Sequence, residues 1–209
     1  MKSIIEHYQA RPLGEERCYA VCLPLIWQEG RWQVLYEIRS QHVSQPGEVS
    51  FPGGRVEEGE TYQQAAIRET VEELNIEPEQ VHVWGEIDYL VQPTRSIHCF
   101  VAELVIDDWR RLRVNEEVDS LFTVSLEKLM AQAPVAYPLQ MQSIISSDFP
   151  LDRIPPNGEQ YRLRYMQDQV LLYEHLEKPI WGITAQLTNR FIEIVTEARQ
   201  HDDLLKNEC

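Results

Sequence analysis

Three glutamates, Glu69, Glu72 and Glu73, recur three and four residues apart, and Arg68 stands four residues before Glu72. On a helix that spacing puts the side chains on one face, with Cβ atoms about 5–6 Å apart. They fall at the end of the predicted helix, where the dipole is negative and each carboxylate costs roughly 0.3–1 kcal/mol. Alone, such a run reads as a solvated acidic face with a helical ion pair. A divalent cation would reverse the repulsion, since hard ions such as Mg2+ take carboxylates, water and substrate phosphates as ligands. Gly53 and Gly54 precede the helix, and glycines let backbone approach a ligand closely and expose a carbonyl.

The elements that must position these groups are legible around them. Thr61 with Gln64 fits a capping box, and Ala65, Ala66, Ile67, Val71 and Leu74 supply a buried side. Asn75 suits the helix end because asparagine tolerates the left-handed conformation. Upstream, Cys18–Trp27 predicts a buried strand, Gln28–Arg31 a turn and Trp32–Ile38 a strand pairing back as a hairpin. A polar loop over Arg39–Gly47, a short strand over Glu48–Phe51 and a Pro-Gly-Gly turn follow. Downstream the patterns predict strands over Val81–Val91 and Ile97–Ile106, a short segment over Val118–Val124 and a helix over Leu126–Gln132. Tyr161–Met166 and Val170–His175 read as a second hairpin, and residues 184–200 as a last helix with Trp181 as its packing anchor. The Pro-rich stretch 133–159 reads as a long surface loop. The whole, residues 1–209, is expected to be one α/β (α+β) domain, a mixed β-sheet sandwiched between α-helices.

Composition bounds the partners. The formal net charge is −15 over 209 residues. That argues against nucleic acid and against an anionic membrane surface as partners. An anionic substrate would need local cations or arginines to offset the field. No apolar signal-like segment opens the sequence, and the longest apolar run, Tyr19–Trp27, is too short to span a bilayer. Cys18 and Cys22 lie roughly 13 Å apart along one predicted strand, too far for a disulfide. Reduced thiols of this kind predict a cytoplasmic protein.

Read from Gly54, the sequence G-RVEEG-E-TYQQAAI-RE-T-V-EE-L-N-I resembles the Nudix box, G-x5-E-x7-R-E-U-x-E-E-x-G-U, with U aliphatic. Gly54, Glu60, Arg68, Glu69, Glu72, Glu73 and Ile76 match; Thr70 and Asn75 depart from an aliphatic residue and a glycine. The resemblance implies hydrolysis of a phosphate–phosphate bond in a nucleoside diphosphate derivative, a small-molecule substrate, with Mg2+ or Mn2+ as cofactor. It makes Arg68, Glu69, Glu72 and Glu73 the catalytic set. Glu69, Glu72 and Glu73 would bind the metal with the Gly54 carbonyl, and Arg68 would orient a glutamate through a charge-assisted bond. Glu60 would brace the loop. The general base is open between Glu69 and an acid of a later loop, Glu116 or Glu117; Glu117 is also carried as a metal candidate. Such metals neutralise a pyrophosphate and lower the pKa of a bound water, which answers how an acidic protein binds an anionic substrate.

The flanks narrow the resemblance. VLYEIRSQHVSQPGEVSFPGG is similar to the segment before the box in coenzyme A pyrophosphatases, roughly LLTxRSxxLxxHxGxVxFPGG. Val43 stands for a usual leucine and Gln45 for a usual histidine. Asn115–Leu129 and Ile180–Phe191 resemble further segments of that group. The implied reaction splits coenzyme A, or its derivatives, into phosphopantetheine and adenosine 3′,5′-bisphosphate, with Arg39, Arg55 and Arg95 as candidate phosphate contacts. Gln45 cannot be cationic as histidine can, which keeps another substrate such as an ADP-sugar or a nucleotide in play. A non-catalytic nucleotide sensor is the rival of another class, opposed by the intact box. The sequence leaves a homodimer open.

Overall fold

The strand expected over Cys18–Trp27 is β1 (Arg17–Gln28), and two partners share one of its edges. β2 (Arg31–Arg39) pairs antiparallel with its C-terminal half, Leu25 opposite Val34. β4 (Gly53–Arg55) pairs antiparallel with its N-terminal half, Ala20 opposite Gly54. The Pro-Gly-Gly segment, expected to be a turn only, therefore runs into a strand. The amide of Cys22 at the fork donates to the Pro52 carbonyl at 2.8 Å. The computed structural model describes residues 2–8, 17–141, 146, 148–150, 153 and 166–207.

The other edge of β1 pairs in parallel with β7 (Arg95–Leu104), which is joined antiparallel by β5 (Val81–Glu86) and β6 (Leu90–Gln92). One strand was expected over Val81–Val91; the structure has two, and the first carries an irregularity between Val83 and Gly85. Glycine at a bulge lets a strand turn away from its partner. β3 (Val49–Ser50) and β8 (Val118–Ser125) both pair antiparallel with β2. The result is an eight-stranded mixed sheet.

Side chains alternate across a strand, and β2 shows what each face meets. Leu35 points into a cluster with Cys22, Ile26, Ala102 and Leu104 that also holds Leu74 and Ile76, at and just past the end of helix α2 (Tyr62–Leu74). Tyr36 points the other way. It stacks on Phe51 and Phe122 at centroid distances of 5.1 and 5.2 Å, and its hydroxyl lies 3.1 Å from Thr188 Oγ1. Thr188 belongs to α4 (Gly182–Asn207), so helices cover both faces of a mixed α+β sheet. Short helices α1 (Lys2–Glu6) and α3 (Leu126–Met130) complete this unit.

The chain divides into two compact units, Met1–Ala133 with Leu187–Cys209, and Pro134–Gln186. The second holds a three-stranded antiparallel sheet of β9 (Val135–Met141), β10 (Met166–Tyr173) and β11 (Ile180–Trp181). Part of the stretch expected to be loop is thus a strand. Pro138 made it read as irregular, but β9 is an edge strand, where a missing N–H is tolerated. β10 pairs with β9, and the other arm of the expected hairpin, Tyr161–Met166, lies outside the described residues except for Met166, the first residue of β10, as does most of 142–159. Trp181, expected as a packing anchor, is 44% exposed, while Ile180 beside it is fully buried. No helix among the described residues is long and apolar enough to cross a membrane.

Candidate metal-binding active site

Helix α2 begins as its capping residues dictate. Thr61 Oγ1 accepts from the Gln64 amide at 3.2 Å, and Gln64 Oε1 accepts from the Thr61 amide at 2.9 Å. Tyr62 in the first turn stacks on His98 of β7 at 3.6 Å between centroids. Asn75 closes the helix at φ 51°, ψ 52°, the left-handed conformation for which glycine or asparagine is suited. Thr70 is fully buried, and its hydroxyl donates to the Ala66 carbonyl at 2.7 Å. A hydroxyl satisfied within its own helix can stand at an aliphatic position.

The last two turns of α2 lie against β4. A Cβ built on Gly54 would sit 2.2 Å from Glu69 Oε1, so only glycine leaves room for that carboxylate. A Cβ on Gly53 would sit 2.5 Å from the Ala20 carbonyl oxygen of β1. The amide of Gly53 donates to Glu73 Oε2 at 2.9 Å. Strand and helix are thus tied at the residues whose spacing drew attention.

Arg68 organises the adjoining loop. Its Nε and Nη2 donate to the two Glu60 carboxylate oxygens at 2.7 and 3.1 Å, a bidentate pair. Nη2 also donates to the Arg55 carbonyl at 3.1 Å, and Nη1 to Glu69 at 2.9 Å and to Glu72 at 3.4 Å. These bonds raise the Arg68 pKa further and lower that of Glu60, so both stay charged.

The carboxylates on the inner side behave differently. Burial pushes Glu73 up to about 9, with repulsion from Glu37, Glu69 and Glu117 adding to the rise. Glu69 is raised by burial, against the pull of Arg68 and with further pushes from Glu72 and Glu117. Glu37 on β2 is pushed up to about 7 by burial, with Glu117 and Glu69 contributing. Glu37, Glu69 and Glu73 are therefore poorly solvated acids, and the charge of Glu117, which is exposed, acts on all three.

Glu117 reaches this group because its loop is fastened twice. The Asn115 amide donates to the Glu73 carbonyl at 2.9 Å, and Ser40 holds the next two residues. The Ser40 amide donates to the Glu117 carbonyl at 2.8 Å, and its hydroxyl to the Glu116 carbonyl at 2.6 Å. Glu116, the other candidate base, enters this network through its backbone.

The predicted phosphate contacts are scattered. Arg39 Nε donates to the Ser44 carbonyl at 2.8 Å within its own loop. Arg55 is exposed on β4 and lines a recess of about 500 Å3 with Cys18, Glu60 and Tyr62. Arg95 Nε is held by Gln92 at 2.6 Å, and among the described residues no ion pair joins it to the glutamates. Gln45 is exposed with φ 59°, so it shapes the loop's backbone.

Among the described residues, no three potential ligand side chains already converge on one point. The fit to a divalent cation rests on other observations. The donors are all hard oxygens, which suit Mg2+ or Mn2+. Gly54 leaves a cradle that a side chain would fill. Glu37 Oε2 is buried with no hydrogen-bond partner. Glu37 was missed from the sequence, although a glutamate at an inward position of WQVLYEI was a readable signal.

Comparison with known proteins agrees with this geometry. The NUDIX domain profile matches residues 17–141. Nudix hydrolase 3 of Caenorhabditis elegans is 28% identical over 199 residues, covering 90% of this chain and 77% of that one. A mouse protein named mitochondrial coenzyme A diphosphatase NUDT8 is 34% identical over 134 residues, covering 62% of this chain and 64% of its own. A MutT/nudix family protein from Enterococcus faecalis shares the fold, with TM-score 0.51 at 11% identity over 93% of this chain and 68% of its own. With its box folded as strand, loop and carboxylate-lined helix, the chain belongs to the NUDIX family of hydrolases that act on phosphoric anhydride bonds.

Proposed function

We propose that this chain hydrolyses the diphosphate of coenzyme A or its derivatives, giving phosphopantetheine and adenosine 3′,5′-bisphosphate. One observation carries the reading. The two segments outside the box that resemble coenzyme A pyrophosphatases, around Arg39-Ser40 and around Asn115–Glu117, are bonded to each other and to the end of α2. The name of the mouse relative supports the same substrate. We further propose that both compact units serve one hydrolase domain, because the match to the C. elegans protein covers 90% of the chain.

Glu69, Glu72, Glu73, Glu117 and the Gly54 carbonyl are the groups that would hold Mg2+ or Mn2+. The bound ion would neutralise the diphosphate and make water a better nucleophile. Arg68 orients Glu69 through its Glu60-braced guanidinium and opposes the rise that burial imposes on it. The Gly53 amide fixes Glu73. Glu69 or Glu117 takes the proton as water adds to phosphorus and the bridging P–O bond breaks. Arg55, which lines a recess with Glu60 and Tyr62, is the arginine we assign to a substrate phosphate. The free thiols Cys18, Cys22 and Cys99 fit a reducing compartment, for which we propose the cytoplasm.

The test is cleavage by the purified chain with Mg2+ or Mn2+ of coenzyme A, ADP-ribose and NADH in parallel, with products identified by mass. Adenosine 3′,5′-bisphosphate from coenzyme A alone is the expected result. Cleavage of ADP-ribose or NADH instead would retain the chemistry and reassign the substrate. Tight binding without turnover would make the chain a sensor.

A further inference from the structure

Glu37 is a carboxylate inside the fold that the reaction above does not use. It is 1% exposed. Its neighbours on β2 fix the direction of its side chain. Leu35 and Glu37 are two residues apart and so share a face, and Leu35 packs with Leu74 and Ile76 at the end of α2. Leu121, opposite Glu37 in the sheet, packs against the same cluster. Glu37 is thus aimed at the α2 side, and its charge acts on Glu73 there.

Its two oxygens have different surroundings. Oε1 accepts from Ser50 Oγ at 2.8 Å, across the β2–β3 pair. Oε2 is buried and has no hydrogen-bond partner. An uncompensated buried carboxylate oxygen is costly, and a fold retains one when something supplies the missing partner. The charges of Glu69 and of the exposed Glu117 act on Glu37, and that of Glu37 acts on Glu73. A further hydrogen-bond acceptor would add to that repulsion, whereas a cation relieves it.

We propose that Glu37, from the strand before the box, presents its free Oε2 to the divalent cation as an additional ligand of the metal centre. This rests on the metal-dependent reading of the site. Ser50 then acts as a positioning residue, because by occupying Oε1 it fixes the rotamer and leaves Oε2 for the ion. Partners that orient a ligand in this way typically affect metal affinity by about 10–100-fold.

The experiment is Mn2+ binding followed by electron paramagnetic resonance, with thermal unfolding of the metal-free chains alongside. Wild type is compared with Glu37→Gln and Ser50→Ala. Glu37→Gln keeps an acceptor for Ser50 and replaces the anionic oxygen by an amide. Its Mn2+ dissociation constant is expected to rise about 10–100-fold, while its metal-free melting temperature holds or rises. Ser50→Ala keeps the carboxylate and should weaken Mn2+ by less than Glu37→Gln does. Should Glu37→Gln not fold, Glu37→Thr suits a strand and carries the same expected loss of affinity. Equal Mn2+ affinity in wild type and either Glu37 variant would overturn the assignment and leave the metal site intact. A wild-type chain that binds no Mn2+ would overturn the metal-dependent reading itself, and this one with it.

Discussion

Replacing Gly54 by alanine tests the site through a single methyl group. The added carbon would sit 2.2 Å from Glu69 Oε1, 2.4 Å from its Cδ and 2.7 Å from Oε2. Contacts of a real Cβ rarely fall below 3.0–3.4 Å, so the carboxylate must withdraw by about 1 Å. The backbone of Gly54 is not in the left-handed region, so alanine brings no conformational strain there. Glu69 sits at the end of a flexible side chain and can move without unfolding its surroundings. A displacement of about 1 Å in a catalytic group costs on the order of 100-fold in rate, or about 2.7 kcal/mol of barrier. Gly54→Ala should therefore lower kcat about 100-fold on whichever diphosphate is cleaved, with KM little changed and the melting temperature within a few degrees of wild type. Steady-state kinetics with saturating Mg2+ and thermal unfolding by circular dichroism would measure both. Wild-type kcat in a folded Gly54→Ala chain would refute the placement of Glu69 at the reacting centre.

Three further outcomes follow from the same geometry. Glu73→Gln keeps an acceptor for the Gly53 amide and removes the oxygen that would ionise to bind metal, so turnover should fall by orders of magnitude with the fold retained; wild-type rates would remove Glu73 from the metal set. The metal-free chain should lose stability as pH rises from about 4.5 towards about 9, because folded Glu73 holds its proton up to about 9 and its ordinary value is 4.5. Between those values the folded state binds more protons than the unfolded one, and saturating Mg2+ should flatten the slope seen in melting temperature against pH. Ser40→Ala removes the bond to the Glu116 carbonyl, which should cost about 1 kcal/mol of stability and lower kcat/KM more than melting temperature by loosening Glu117; an unchanged kcat/KM would detach that loop from the reaction.

The sequence disclosed most where local chemistry decides structure. The ends of α2 were readable because Thr61 and Gln64 cap one and Asn75 turns the other, needing no distant partner. The box spacing brought Glu69 and Glu73 together for the same reason. What stayed hidden depended on strand pairing at long range. β4 read as a turn because its hydrogen bonds go to β1, more than thirty residues earlier. β9 read as loop because nothing in its own residues says that Pro138 lies on an edge. Glu37 escaped notice because its meaning lies in α2 across the sheet. The bond from Ser40 to Glu116 that tethers the Glu117 loop joins residues 76 positions apart, a separation at which no periodicity operates.

The hydrogen bond from Gly53 to Glu73 has a use beyond support. An amide proton held by a carboxylate feels that carboxylate's charge directly. The chemical shift of this one proton is a built-in reporter on the proposed active site. It can follow the ionisation of Glu73, the arrival of a cation and the passage of product in solution, without a label on the substrate or a change to the chain.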